Sequence, residues 1–291
     1  MGYKIIGIHG LFNKPSKTEI EKGWKQAIIE GLEKNVESDL KDLNFEIVYW
    51  ADLAYDEFDH EAELYRPAKD GDLIEYKNGW IDSIRTSAQA VLDDTLDISK
   101  QLFHIDYVAD SILEKKAKDL HTYYSNNEFK NKTREKLIKT ILDNKDRKII
   151  LVAHSMGSII AYDSLVRLSQ ENSDIEIDYF ITIGSPLGLP HVKYKINKEF
   201  NSLSTPENVQ NWKNFADKRD KVALDTHLSD DYKANIKNIK VIDDLVLNDW
   251  YGNPHKSYGY LRTPEFSRHI VSIIENLYSI NNSPYGLYYH I

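Results

Sequence analysis

One stretch near the middle of the chain, residues 149–160, constrains the fold more than any other. A run of apolar residues leads into Ser155, and a second run with the composition of a helix follows it. Ala153 and Gly157 stand two positions before and two positions after the serine, and residues this small let a strand and a helix approach closely. The pattern predicts a strand, a tight turn that presents the Ser155 hydroxyl, and a helix. It also fits an ordinary strand–turn–helix in which the serine is simply buried.

The elements before and after this stretch predict a mainly parallel sheet flanked by helices. A strand at Tyr3 to Ile8, a helix over 18–36 capped by Ser16 or Thr18, and a strand at 45–50 follow one another. Strands that alternate with helices require right-handed crossovers and parallel pairing. The later part of the chain continues the alternation with helices over 128–143, 156–169 and 265–278 and with strands over 148–153, 177–184, 212–216 and 239–242.

Residues 52–127 interrupt this alternation. They contain no convincing strand, and their apolar residues recur at helical spacing, for example at Trp80, Ile84 and Ala88. They carry 17 acidic and 8 basic residues, a balance that equals the net charge of −9 of the whole chain. We therefore expect an acidic helical insertion, acting as a cap or lid, in a core formed by residues 1–51 and 128–291.

Composition narrows the possible compartment and partners. The 291 residues include no cysteine, so a disulfide framework and a cysteine metal site are excluded. No apolar run is long enough to cross a membrane, and the chain starts with a strand rather than a secretory signal. These features predict a cytoplasmic protein without an integral membrane segment. The acidic balance and the lack of a basic stripe argue against nucleic acid as a partner.

The stretch around Ser155 resembles the G-x-S-x-G pattern of the α/β-hydrolase superfamily, and in particular its lipases and esterases. Ala153 stands where that pattern has its first glycine, which is a departure of one methyl group. The resemblance covers residues 1–51 and 128–278 and implies an α/β-hydrolase fold. It is strengthened by Gly184-Ser185-Pro186-Leu187-Gly188, which is similar to the G-[ST]-P-x-x-G stretch that follows the next strand in many lipases.

A nucleophilic serine needs a histidine base and an acid, and in this superfamily they follow in the order serine, acid, histidine. The resemblance implies Asp220, beyond the strand at 212–216, as the acid that holds the histidine in place, with Asp217 as the alternative. His255 lies between the predicted last strand and last helix and is the expected general base. For each aspartate the simpler interpretation is a surface salt bridge with the neighbouring lysines and arginine.

An oxyanion hole requires two backbone N–H groups that point at the developing negative charge. The Met156 amide, directly after the serine, is expected to supply one. His9-Gly10-Leu11-Phe12 matches the H-G-x-x turn of lipases, so Leu11 is expected to supply the other. Gly10 and Gly157 give the loops room, and His9 and His154 are interpreted as supporting residues.

The sequence thus predicts a serine hydrolase that cleaves carboxylic esters, including lipid acyl esters, through an acyl-enzyme intermediate. The mechanism requires no cofactor, and no residue spacing suggests a metal site. Two alternatives remain open. The same residues suit a thioesterase or a peptidase, and the fold also serves as a binding or signalling module whose acidic insertion would recruit a protein partner.

Overall fold

A computed structural model describes residues 2–11, 13–69, 71–77, 120–171 and 174–282, with side chains up to residue 277. Six strands form one sheet in the order β2-β1-β3-β4-β5-β6, and every neighbouring pair is parallel. The strands are β1 (Tyr3–Ile8), β2 (Phe45–Val48), β3 (Lys148–His154), β4 (Tyr179–Ile183), β5 (Trp212–Ala216) and β6 (Ile242–Leu245). The helices are α1 (Lys17–Val36), α2 (Asn127–Asp143), α3 (Met156–Glu171), α4 (Pro190–Phe200), α5 (Ser257–Leu261) and α6 (Pro264–Asn282).

Helices cover both faces of the sheet. Side chains of α2, α3 and α4 pack on one face in a cluster that includes Ile6, Ile8, Leu151 and Phe180. Side chains of α1, α5 and α6 pack on the other face with Ile5, Ile150, Val152 and Phe215. Because β3 is buried on both sides, its sequence is a continuous apolar run rather than an alternating one. This three-layer arrangement is the α/β-hydrolase fold that the sequence predicted.

The connections place one crevice at the carboxyl ends of the strands. From β1 the chain crosses to β2 on one side and then returns to β3 on the other, so β1 and β3 are neighbours whose following loops diverge. In open α/β sheets this switch point is where ligands bind. The loop at 9–11 and the turn at Ser155 therefore face the same crevice.

Several boundaries differ from the sequence prediction. The last strand lies at Ile242–Leu245, three residues beyond the predicted 239–242, and α4 and α5 were not predicted. The strand was misplaced because it contains two acidic residues. The Asp243 carboxylate accepts hydrogen bonds from the Asn214 side chain at 2.9 Å and from the Leu228 amide at 3.0 Å, so this acid is satisfied within a strand.

The described part of the insertion is not helical in the way we expected. Residues 54–69 and 71–77, here called the strap, are irregular, and a 3-10 turn at Ala51–Leu53 precedes them. The helices predicted from Trp80 onward lie outside the described residues. At the far end of the insertion, residues 120–125 are helical and lead directly into α2. The tail residues beyond 282, which the sequence left without an assignment, also lie outside the described part.

The strap is fastened to the core through the buried side chain of Glu30 on α1. This carboxylate accepts hydrogen bonds from the Tyr65 hydroxyl at 2.7 Å and from the Ala68 amide at 2.8 Å. It also forms a salt bridge with the buried Arg262 guanidinium at 2.9 Å. Burial alone would raise the pKa of Glu30, but the hydrogen bonds from Tyr65 and from other donors, including Lys34, lower it overall. The carboxylate therefore stays charged and holds the strap against α1.

Among the described residues, the helices are all too short or too polar to cross a membrane.

Candidate active site

Ser155 occupies a strained turn between β3 and α3. Its φ of 55° lies in the left-handed region that non-glycine residues rarely adopt. The turn is held by the Ser155 amide, which donates to the Ile183 carbonyl at 3.2 Å, and by the Ser155 carbonyl, which accepts from the Ser158 amide at 2.8 Å. Ser155 is buried, and it lines the crevice at the carboxyl ends of the strands. The structure thus forms the strand–turn–helix that the sequence predicted, with a backbone strain that is common at functional sites.

Gly157 explains the requirement for a small residue two positions after the serine. A Cβ atom at this position would lie 2.6 Å from the Ile8 carbonyl oxygen and 2.7 Å from the His9 carbonyl oxygen. Both contacts are with main-chain atoms at the end of β1, which cannot move aside easily. Gly157 therefore lets the start of α3 approach the end of β1 and brings the two loops together.

His255 joins Ser155 to Asp220. Its Nε2 lies 2.9 Å from the Ser155 Oγ, and its Nδ1 lies 2.8 Å from the Asp220 Oδ2. Because an ionised carboxylate only accepts hydrogen bonds, Nδ1 carries the proton and Nε2 is free to accept from the serine hydroxyl. In the chain His255 follows Asp220 by 35 positions and Ser155 by 100 positions, so only the fold brings the three residues into contact.

Asp220 is buried and fully hydrogen-bonded. Its Oδ1 accepts from the Val222 amide at 2.8 Å, and its Oδ2 accepts from the Tyr260 hydroxyl at 2.8 Å as well as from His255. Burial alone would raise the pKa of this carboxyl, but the charge of His255 and these hydrogen bonds outweigh it and hold the pKa below its usual value. The carboxylate is therefore ionised at neutral pH and can stabilise a positive charge on His255.

Asp217, the alternative acid, is committed to other partners. Its carboxylate accepts from the Arg219 guanidinium at 2.5 and 3.0 Å and from the Asn248 amide at 2.7 Å. Arg219 also donates to the Asn248 carbonyl at 2.8 Å. Asp217 thus links the loop after β5 to the loop that leads toward His255. Of the two aspartates, the structure brings Asp220 to the histidine.

Two further histidines support the site as neutral side chains. His154 Nε2 lies 2.8 Å from the His255 carbonyl oxygen, and the two rings are 4.8 Å apart. Burial and the nearby charge of His255 place the pKa of His154 well below its usual value. His9 donates from Nδ1 to the Gly10 carbonyl at 2.9 Å and accepts the Trp50 amide at Nε2 at 3.1 Å. Through these hydrogen bonds both rings hold neighbouring loops in place.

The loop after β1 lies directly against the serine. A Cβ atom on Gly10 would stand 2.6 Å from the Ser155 Cβ and 3.1 Å from its Oγ, so this position has no room for a side chain. Leu11 follows on the same loop, and its carbonyl oxygen accepts a hydrogen bond from the Lys14 ammonium. Met156 is the first residue of α3, so its amide has no helical acceptor of its own. The loop that carries Leu11 thus lies against Ser155, and Met156 directly follows the serine in the chain.

A cleft of about 980 Å³ opens above this group of residues. One wall comes from the loops that carry Ser155 and His255, and a second comes from the strap and the turn before it, through Ala62 and Leu53 among others. A third comes from Phe129 and nearby residues at the start of α2. The cleft therefore has the mixed apolar and polar lining that is usual for sites that bind small organic molecules.

One acidic cluster in the described residues has the spacing of a cation site. Carboxylate oxygens of Asp225, Asp230 and Asp231 lie within 4.8 Å of one another. The Lys193 ammonium forms salt bridges with Asp231 and, at 3.9 Å, with Asp225. The lysine already balances part of this charge, so we assign the cluster no metal.

Tyr260 is the residue of this site that the sequence analysis missed. Its buried hydroxyl contacts Asp220, yet in the sequence it stands in the run Ser257-Tyr258-Gly259-Tyr260-Leu261, which carries no hydrolase motif. The aromatic residues in this run indicate only a buried segment. The hydrogen bond depends on the packing of α5 against the loop after β5, which sequence spacing does not reveal.

Three comparisons with known proteins test which family this chain resembles. The lecithin:cholesterol acyltransferase family matches residues 97–191, about a third of the chain, and this segment includes the turn at Ser155. A search of curated proteins found no significant match. Among solved structures, "the putative cell surface hydrolase from Lactobacillus plantarum WCFS1" is similar at 14% sequence identity and a TM-score of 0.36. That alignment covers 98% of this chain and 94% of the other, and at this TM-score we draw nothing from it.

The assignment therefore rests on two observations. The sheet, its helical layers and the strained serine turn form the fold expected from the sequence. The family match covers the segment that contains this turn. The chain therefore has the α/β-hydrolase fold, and the segment that contains the serine turn resembles the lecithin:cholesterol acyltransferase family.

Proposed function

We propose that the chain is a serine hydrolase of carboxylic esters in which Ser155 is the nucleophile, His255 the general base and Asp220 the orienting acid. One observation carries the proposal. The two ring nitrogens of His255 lie 2.9 Å from the Ser155 Oγ and 2.8 Å from the Asp220 Oδ2. These distances suit proton transfer from the serine and stabilisation of the resulting imidazolium.

The proposed reaction has two halves. In the first, Ser155 Oγ attacks the ester carbonyl carbon while its proton passes to His255 Nε2, and the carbonyl oxygen takes up the negative charge. The tetrahedral intermediate collapses when His255 returns that proton to the departing alcohol, which leaves the acyl group on Ser155. In the second half, water attacks the acyl-enzyme and gives a proton to His255. The carboxylic acid then leaves as Ser155 recovers its proton.

The oxyanion is proposed to be held by the amides of Met156 and Leu11. The tight contact between Gly10 and Ser155 supports this, because it keeps the Leu11 loop beside the attacking oxygen. His9 supports the proposal indirectly, since its bonds to Gly10 and Trp50 fix the loop. No step of this reaction requires a cofactor.

Substrate choice is proposed to depend on the cleft and on the insertion at 52–127. Residues from the strap and from both sides of Ser155 line one cleft, which supports a cap that selects the acyl or alcohol group by shape. We propose acyl esters, including lipid esters, as the substrate class. Thioesters and amides use the same chemistry and are tested alongside esters. Recruitment of a protein partner by the acidic insertion is the competing role for this segment.

The first experiment is covalent labelling of the purified protein with a fluorophosphonate probe. We expect labelling of the wild type and none of Ser155→Ala. Ser185→Ala is the matched control, because Ser185 is also a buried serine after a strand but its hydroxyl caps the turn at Pro186–Gly188. Labelling of Ser155→Ala at the wild-type rate would refute the nucleophile. A folded wild type that neither labels nor cleaves any ester would refute hydrolysis and favour the binding-module alternative.

A second comparison separates the two candidate acids. Asp220→Asn should lower kcat for p-nitrophenyl esters on the order of 10⁴-fold, because the amide favours the wrong histidine tautomer. Asp217→Asn should lower kcat much less and should chiefly lower the melting temperature, since it weakens the hydrogen bonds of the buried Asp217 carboxylate with Arg219 and with the Asn248 amide. The reverse ranking of the two kcat values would show that Asp217 is the acid.

The role of the insertion is tested by replacing residues 78–119 with a flexible linker, which leaves the strap and its anchors intact. A cap predicts a changed preference for acyl chain length across a series of p-nitrophenyl esters. A docking segment predicts an unchanged chain-length profile.

A further inference from the structure

The hydroxyl of Tyr260 connects the acid loop to the rest of the site through two buried hydrogen bonds. It donates to the Asp220 Oδ2 at 2.8 Å, and it accepts from the Asp217 amide at 3.0 Å. Its donation goes to the same carboxylate oxygen that accepts the His255 Nδ1 proton. One oxygen atom of Asp220 therefore serves both the histidine and the tyrosine.

The surroundings of Tyr260 fix the position of its hydroxyl. The side chain is fully buried, and its ring lies against Gly184, where a Cβ atom would come within 2.9 Å of the Tyr260 Cε2. Gly184 has a φ of 53°, so the residue at the end of β4 is shaped to accept the ring. The phenol thus has little freedom to rotate away from Asp220.

A second set of bonds ties the histidine loop to the same place. The Asn248 amide donates to the Asp217 carboxylate, and its side-chain nitrogen donates to the Lys256 carbonyl at 2.9 Å, one residue beyond His255. Asp217, the alternative acid, is therefore hydrogen-bonded both to Tyr260 and, through Asn248, to the loop that carries His255. Of Asp217, Asn248 and Tyr260, it is Tyr260 whose side chain contacts the Asp220 carboxylate.

We propose that Tyr260 is a positioning residue of the site, which fixes the Asp220 carboxylate and draws part of its negative charge away from His255. This inference rests on the proposed function, because it assigns Tyr260 a role in the same proton transfer. A carboxylate that shares its charge with a second donor attracts an imidazolium less strongly. The His255 ring should then be less basic than it would be beside Asp220 alone, and its orientation should be better defined.

Removing the hydroxyl should have two effects in one variant. In Tyr260→Phe, the Asp220 carboxylate keeps its bonds to His255 and to the Val222 amide but is free to rotate. We expect the His255 titration to move to higher pH in the variant than in the wild type, because more of the carboxylate charge faces the ring. We expect kcat to fall about tenfold to a hundredfold while KM changes little, since the lost bond orients the base and does not touch substrate.

Other titratable groups around His255 and Asp220 are kept constant in this comparison. They come from every element packed against the pair, and they are Lys14 after β1, His154 on β3, Asp217 and Arg219 after β5, and Lys256 with its strap partner Glu63. Tyr260→Phe leaves these side chains in place and removes only the hydroxyl, with its bonds to Asp220 and to the Asp217 amide, so a shift in the His255 titration reports on the tyrosine hydroxyl.

The test is an NMR titration of the His255 ring nitrogens in the wild type, Tyr260→Phe and Tyr232→Phe, combined with the pH profile of kcat/KM. Tyr232 is the matched control, because its buried hydroxyl makes one bond, to the Leu187 carbonyl at 2.9 Å. The NMR readout needs no substrate, so it answers the question even if the protein hydrolyses no ester. A raised His255 pKa in Tyr260→Phe alone supports the proposal, and an unchanged pKa overturns it.

A second replacement covers the case in which Tyr260→Phe does not fold. Site-specific incorporation of fluorotyrosine at position 260 keeps the ring and makes the hydroxyl a stronger donor. The His255 pKa should then fall below the wild-type value, opposite to the effect of phenylalanine. A pKa that stays constant or rises with the stronger donor overturns the proposal.

Discussion

The buried His9 ring predicts that the protein loses stability between pH 7 and pH 5. Burial, with a smaller contribution from the positive charge of Lys14, lowers the pKa of His9 from 6.5 to about 3. In the native protein the ring thus stays neutral down to about pH 3, whereas in the unfolded chain it takes up a proton near pH 6.5. The unfolded state then binds more protons, so this contribution to stability is present at neutral pH and is lost progressively as the pH falls from 6.5 toward 3.

The size of the effect follows from the two pKa values. At pH 5 the unfolded histidine is almost fully protonated, and the free energy of unfolding is lower by about 2 kcal/mol than at pH 7. His269, with a pKa lowered to about 4, and His154, whose pKa is also strongly lowered, act with the same sign. His9 and His269 together amount to about 4 kcal/mol, a large part of the 5–15 kcal/mol typical of a folded domain, and His154 adds to this loss.

His9→Gln isolates one of these contributions. A glutamine amide can donate to the Gly10 carbonyl and accept from the Trp50 amide, as His9 does, but it does not titrate. Urea unfolding of both proteins at pH 7, 6 and 5 gives the difference in free energy of unfolding, in which all shared groups cancel. We expect this difference to shift by about 2 kcal/mol in favour of the variant between pH 7 and pH 5. A difference that does not change with pH would refute the reasoning.

Three further substitutions test the packing of the site and core. Gly157→Ala should lower the melting temperature by several degrees in a thermal scan, because its methyl group would lie 2.6 Å from a main-chain oxygen of β1. Gly2→Ala is the control and should leave the melting temperature unchanged, because a Cβ atom at position 2 has nothing within 4 Å. Gly10→Ala should reduce fluorophosphonate labelling at least tenfold, because its methyl group would lie 2.6 Å from the Ser155 Cβ and 3.1 Å from its Oγ. Arg134→Met should lower the free energy of unfolding in urea by about 3–5 kcal/mol, since it leaves the buried Asp163 carboxylate, 2.5 Å away, without its cation. Adding Asp163→Leu should restore much of that loss, and a double variant as unstable as the single one would contradict this account.

The central strands could be predicted from the sequence because burial on both faces leaves a simple pattern. β1 and β3 are nearly continuous apolar runs, and their predicted bounds match the structure to within one residue. β6 could not be found in the same way, because it is an edge strand with the sequence Ile-Asp-Asp-Leu and its first residue is 61% exposed. What makes it a strand is its pairing with β5 and the capture of Asp243 by Asn214. Those partners become neighbours only in the fold.

The strap shows a second limit of sequence reasoning. Its acidic residues were expected only as part of an acidic cap or lid, yet Glu63 accepts a hydrogen bond from the Trp250 indole at 3.0 Å and pairs with Lys256 at 3.4 Å. Charge counts alone do not separate an acid that faces water from one that fastens a segment to the core. The difference lies in the partners, and Trp250 and Lys256 are 187 and 193 residues away from Glu63 in the chain.

The choice between the two aspartates shows what sequence position can decide. Both follow β5 by a few residues, so both come to the edge of the sheet where a partner for His255 is needed. A turn closed by the bond from the Asp220 amide to the Asp217 carbonyl, at 2.9 Å, then directs the two side chains to different partners. Asp217 meets a guanidinium that neutralises its charge, and Asp220 meets the histidine and a phenol. Only the second arrangement leaves negative charge available for an imidazolium, so the local charge balance, rather than distance from the strand, favours Asp220 as the acid.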